Sequence, residues 1–243
     1  MIFDLANTAL SVLVISCLIS LAFLLPERDG FLQASSERTR KLLLVFSGLW
    51  CFAAVGNFLA TLATIFDTSW SEVLKVNVIR SFATQVTLGK LLAFQVFIAL
   101  LVFALNKSIK KNGGAFWLLV LAISGAVAPI FQSHSSSQGG HGLAIGSLII
   151  HVIALSFWLG SVFALQVMPD ESKKLAFARV SSIALWSSTA VVLSGVANAW
   201  TRLRLSGDWL STYGTLVLTK VLLTATLIAI DGRIRKGLTS AKL

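Results

Sequence analysis

The sequence predicts an all-α fold, a polytopic membrane helix bundle of about seven transmembrane helices. Three observations lead there. Of the 243 residues, 56% are hydrophobic and only 12% are charged, whereas a soluble domain carries about 25% charged residues. The apolar residues gather in runs at 7–25, 41–66, 88–105, 115–133, 143–167, 179–200 and 213–231, each near the roughly 20 residues that a bilayer-spanning helix needs. The runs lack the strict alternation of a barrel strand, and a helix satisfies its own backbone polar groups in lipid. Finally, the basic residues sort by connection. Fourteen of them (Arg28, Arg38, Arg40 and Lys41; Lys107, Lys110 and Lys111; Lys173, Lys174 and Arg179; Arg233, Arg235, Lys236 and Lys242) fall on one side of the bundle. Four, Lys75, Arg80, Arg202 and Arg204, fall on the other. The positive-inside rule makes the richer side cytoplasmic, with the N-terminus outside and the C-terminus inside. The net charge of +10 is then a topology signal and a contact for anionic lipid head groups, not a nucleic-acid footprint.

Taken in order, span one (7–25) is preceded by Asp4 rather than a basic region, and no small-residue cleavage site follows. It is expected to be a retained helix, not a signal peptide. Span two (41–66) carries Asn57 toward its outer end. The connection 67–87, with SWSEVLKVNVIRSFATQ, is expected to lie on the membrane surface with Trp70 at the interface. Span three (88–105) begins with Lys90 close to the outer surface. Span four (115–133) is closed on the outside by His134, and the uncharged connection HSSSQGGHG leads to His141 at the mouth of span five (143–167). His151 lies about 12 Å into that span at 1.5 Å per residue. Span six (179–200) holds Asn198, and span seven (213–231) holds Tyr213 and, about 10 Å down by the same rise, Lys220. Trp117, Trp200 and Trp209 sit near span ends as an aromatic belt does, while Trp50, Trp158 and Trp186 are deeper and read as packing residues.

The short connections argue for a single integral membrane domain over 1–243. A faint internal repeat pairs SFATQVTLGKLLAFQVFIA (81–99) with STYGTLVLTKVLLTATLIA (211–229), and AVGNFLATL (54–62) with VLSGVANAW (192–200). Spans one to three and five to seven would then be parallel units joined by span four, as in some transporters. The alternative is chance likeness between Leu- and Ala-rich helices.

The chain has three histidines, His134, His141 and His151, and all fall within 18 residues. With Asn57, Asn198, Lys90 and Lys220 they map to the outer half of the membrane. An ionisable residue inside a membrane is a functional-site candidate by default, although Lys90 and Lys220 also suit snorkelling to head groups. Neutral imidazole is a ligand for copper and zinc. His141 and His151 are ten apart, ~15 Å along a continuous helix, so they share one ion only if the segment from His141 to Ala144 is not helical. A surface pair of His134 and His141 with a deeper station at His151 is therefore expected, a relay that would suit permeation. Trp158, two turns on from His151, shares its face. Haem between spans four and five is the competing chemistry. Soft sulfur is scarce: the methionines are Met1 and Met168, and Cys17 and Cys51 are isolated within spans. No nucleophile set, paired intramembrane carboxylates or phosphate loop is present, so an enzyme is not expected.

The chain resembles the copper resistance D membrane proteins, including actinobacterial forms fused to a cytochrome oxidase assembly domain. The resembling residues are GHG at 140–142, HVIALSFWLGSVFAL at 151–165, Arg179, LSG at 193–195 and YGTLVLTKVLL at 213–223. They make 115–243 the family-like half and 1–114 a looser N-terminal half. The resemblance implies copper handling across the plasma membrane and points to His141, His151, Trp158, Gly160, Tyr213 and Lys220; the last four join Asn57, Asn198 and Lys90 as expected pathway or gate residues. Ser161 stands where the family pattern has a second glycine, and Asp231-Gly232-Arg233 where it has Asn-Arg. The chain carries no assembly domain, which leaves a fusion or a neighbouring partner open. Expected partners are the bilayer and an extracytoplasmic copper chaperone or an oxidase assembly protein.

Overall fold

The computed structural model describes residues 2–25, 27–28, 31–32, 36–132, 141–167, 170–206, 214–215, 217–219, 221–223 and 226. Helix α1 (Ile2–Ile19) continues as a π-helical turn, Ser20–Leu24. It ends because Leu25 is extended, with ψ 141°, the conformation that a following proline, Pro26, imposes. The two-residue strands β1 (Glu27–Arg28) and β2 (Phe31–Leu32) pair antiparallel and flank Asp29-Gly30, a dipeptide that favours tight hairpins. Helix α2 (Glu37–Phe66) stops at Asp67 in the left-handed conformation, φ 47°. Short α3 (Trp70–Val73) and α4 (Val76–Gln85) precede α5 (Thr87–Leu105) and a 3-10 turn, Asn106–Ser108. Then come α6 (Asn112–Val127) with a 3-10 turn over Ala128–Phe131, α7 (His141–Val167) and α8 (Asp170–Ser206).

Among the described residues six helices are long and apolar enough to cross a membrane: Ile2–Leu24, Glu37–Phe66, Thr87–Ser108, Asn112–Phe131, Ile145–Gln166 and Val180–Trp200. They coincide with spans one to six, the first starting five residues before its apolar run. Of span seven only 214–215, 217–219, 221–223 and 226 are described, and these are helical.

Helix α1 is the enclosed centre of the bundle. It packs on α2, α6 and α7; α2 packs in turn on α5, α5 on α4 and α6, and α7 on α8. The core holds Val14, Ile15, Leu18 and Ile19 of α1 and Leu21 of the π-helical turn with Trp50, Val102, Ala122 and Ala164. The outward faces are apolar as well, with Phe52, Phe97, Trp117 and Leu193 exposed, because the surrounding solvent is hydrocarbon. Trp186 departs from expectation. It is 72% exposed, because the inward face of α8 is supplied by Val180, Ser187, Val191 and Ser194, all buried, and Trp186 points away from them. Trp50 is fully buried, as expected.

The segment at 67–87 forms α3 and α4. Phe82 of α4 is buried against Phe58 and Phe66 of α2, ring centroids 5.1 and 6.0 Å away, while Arg80 and Thr84 face outward. The elbow at Val86 is tight: a Cβ on Gly89 would overlap the Phe82 carbonyl. The basic connections one and three lie on one face, since the Leu32 N–H donates to the Lys110 carbonyl at 3.1 Å. Asn106 Nδ2 reaches Ser47 Oγ at 3.4 Å at that end of the bundle. Of the two long segments that suggested a repeat, about half of the second falls outside the described residues. The two hairpins α1–α2 and α7–α8 share one detail. Each seats a ring from its first helix on a glycine of its second, Phe3 on Gly56 and His151 on Gly195.

Candidate functional site

His151 sits ten residues into α7 and six into the apolar stretch that starts at Ile145. Its side chain is part-buried against α8. Nδ1 lies 3.1 Å from the Val191 carbonyl oxygen and 3.2 Å from Ser194 Oγ. A carbonyl only accepts, so Nδ1 carries the proton and donates to it. Ser194 Oγ in turn donates to the Ala190 and Val191 carbonyls, 2.5 and 3.1 Å away, and so meets the imidazole as an acceptor. Val191, Ser194 and Asn198 recur at helical spacing, which makes one stripe of α8 the wall for the imidazole. Asn198 is half-buried on that stripe.

The other expected residues are distributed as follows. Helix α7 is continuous from His141, so His141 and His151 are about 15 Å apart along its axis and do not share an ion. Trp158 is half-buried two turns beyond His151. Gly160 is buried where α7 crosses α1: Ser20 Oγ donates to its carbonyl at 2.8 Å, and a Cβ there would stand 2.9 Å from the Ser16 carbonyl oxygen. Asn57 is buried in α2 and Lys90 is exposed in the first turn of α5. His134, Tyr213, Lys220 and the side chain of His141 lie outside the described residues. No cluster of three or more His, Cys, Asp or Glu forms among the described residues. Cys17 and Cys51 are far apart as well. Asn7 of α1 meets Trp50 of antiparallel α2, which leaves Cys17 about 15 Å along α1 from the level of Cys51.

Sequence reasoning missed a second polar centre. Trp50 Nε1 donates to Asn7 Oδ1 at 3.1 Å, and Asn7 Nδ2 donates to Gln95 Oε1 at 2.9 Å. All three residues are buried and bridge α1, α2 and α5. Gln95 was the available signal, an amide in the middle of a run of apolar residues.

No curated protein and no solved structure matches the chain. Two families do. Residues 5–144 match the family described as Copper resistance protein D-like, N-terminal domain, and residues 174–242 match Copper resistance protein D. The first stretch takes in Asn57, Lys90, His134 and His141, the second Asn198, Tyr213 and Lys220, while His151, Trp158 and Gly160 lie between them. With matches over most of its length and six apolar helices to carry them, the chain belongs to the copper resistance protein D family and is a multi-pass membrane protein related to copper resistance.

Proposed function

We propose that the chain moves copper across the plasma membrane, or hands it on there, without catalysing a chemical reaction. In this reading His134 and His141 capture the ion at the outer mouth, and His151 is the station inside the bilayer. Asn57, Lys90, Trp158, Gly160, Asn198, Tyr213 and Lys220 would line or shape the route. The observation that carries it is the imidazole of His151, set within an apolar span and oriented through Nδ1 by a backbone carbonyl. Metal-ligating histidines are commonly oriented in this way, and an ionisable group at such a depth is costly to keep without a use. Copper is the cargo in this reading, supplied by an extracytoplasmic chaperone or passed to an oxidase assembly protein.

The test is copper uptake by proteoliposomes of the purified protein. His151→Ala at equal reconstitution is expected to lower uptake at least several-fold; unchanged uptake would remove His151 from the route. A Soret band in the visible spectrum of the same preparation would replace copper with haem as the ligand.

A further inference from the structure

We propose that the bundle holds an anionic phospholipid by its headgroup phosphate, in a cleft between the start of α2 and the turn that ends α5. The cleft has a volume of about 270 Å³ and is lined by Glu37, Arg40, Lys41, Leu44, Asn106 and Lys107. Glu37 opens one apolar span and Ser108 closes another, so the cleft lies where two packed helices leave the hydrocarbon. It is at the end of the bundle where connections one and three meet.

Three cations face a single carboxylate there, that of Glu37. The carboxylate lies 3.7 Å from Arg40 Nη1 and 4.0 Å from Lys41 Nζ, too far for hydrogen bonds. The three side chains are exposed by a third or more, and exposed ion pairs hold weakly. Lys107 has no carboxylate within ion-pair distance among the described residues. The cleft therefore keeps an excess of positive charge. A phosphate answers it, because a guanidinium offers forked donors and an ammonium a point charge. Asn106 is spent elsewhere. It is buried, and its Nδ2 donates to the Phe103 carbonyl at 2.6 Å and meets Ser47 Oγ at 3.4 Å, which fixes the spacing of the two walls.

The apolar side of the cleft selects a lipid over a free phosphate. From Lys41 the same stripe of α2 continues as Val45, Leu49 and Phe52, all exposed. From Lys107 the stripe of α5 continues as Phe103 and Leu100, also exposed, since residues three and four apart share a face. The two stripes adjoin: a Cβ on Gly48 of α2 would stand 3.2 Å from the Phe103 ring. A phospholipid seated here has its phosphate among the cations and its acyl chains along a continuous apolar surface. Basic pockets between helices at a membrane surface bind anionic head groups in this way. Nothing in this assignment depends on copper.

The experiment is native mass spectrometry of the full chain in detergent, titrated with phosphatidylglycerol or with phosphatidylcholine of the same acyl chains. Phosphatidylglycerol is expected to bind several-fold more tightly, and equal affinity overturns the proposal. Lys41→Gln and Lys107→Gln, both exposed, should each weaken phosphatidylglycerol binding about fivefold, the weight of one basic side chain near an anionic membrane surface. Lys75→Gln removes the same charge between α3 and α4 and should change nothing. Equal losses in all three variants would make net charge the cause and overturn the cleft. Glu37→Gln should bind phosphatidylglycerol at least as tightly as the wild type; weaker binding would make the carboxylate the ligand and overturn the phosphate assignment. Millimolar inorganic phosphate should not displace the lipid, and displacement would make the site one for free phosphate and overturn the lipid assignment.

Discussion

At the scale of single residues, a few buried polar side chains bridge the helices of the bundle. Asn7 is the clearest case. Its oxygen receives the Trp50 indole N–H and its amide donates to Gln95, so one side chain ties three helices together. Interhelical hydrogen bonds in membranes average only about 0.6 kcal/mol, but replacing Asn7 by Leu orphans a donor and an acceptor at once. Asn7→Leu is expected to lower stability by about 1–2 kcal/mol, an unsatisfied buried group costing roughly 1–3. The Asn7→Leu/Gln95→Leu pair should lose less than the sum of the single changes. Unfolding in bicelles with a denaturing detergent measures both, and additive losses would show that the three groups do not act as one unit. His151 was legible in sequence, because a lone ionisable residue in an apolar run stands out. Its partners were not. Val191 contributes a backbone carbonyl, which no side-chain pattern announces, and Ser194 looked like one small residue among many. The Asn7–Trp50–Gln95 centre was obscured for a different reason: its members are 43 and 88 residues from Asn7 in sequence, and Asn7 sits at the margin of its apolar run.

At the scale of elements, hydropathy marked six spans to within a few residues, because lipid enforces length and composition together. What it could not give was which face of each helix turns inward, since both faces are apolar. Trp186 is the example, deep in its span yet facing outward. Close approach between helices was equally hidden. Gly160 and the serines of α1 form a crossing in which small residues let two backbones come near. A side chain at Gly160 must displace a backbone carbonyl, so Gly160→Ala is expected to destabilise by about 1–3 kcal/mol, as overpacking does. Gly146→Ala, on the same helix with nothing within 4 Å of the added methyl, should be close to neutral. Thermal unfolding in detergent compares the two, and equal melting temperatures would mean that α1 and α7 do not meet at Gly160.

At the scale of the whole molecule, packing places connections one and three on one face of the bundle, the face that the charge rule would make cytoplasmic. Connections one and three touch through Leu32 and Lys110, and both belong to the basic side. Single cysteines at Lys110 and Lys75, in a Cys17→Ser/Cys51→Ser background, should label from opposite sides of the membrane, Lys75→Cys in whole cells and Lys110→Cys only after lysis, with an impermeant maleimide. Labelling of both in whole cells would overturn the topology. The central position of α1 also has a consequence for biosynthesis. α1 is made before the helices that pack around it, and a contact of the π-helical turn that continues it, Ser20 with Gly160, waits for a residue 140 positions later. At roughly 5–20 residues per second, translation takes about 7–28 s to reach it. During that interval Ser16 and Ser20 are already bonded to carbonyls of their own helix, Val12 at 2.7 Å and Ser16 at 3.0 Å. The nascent helix can therefore stand in lipid with both of these hydroxyls bonded while it awaits α7, and the bundle closes around a segment made before its neighbours.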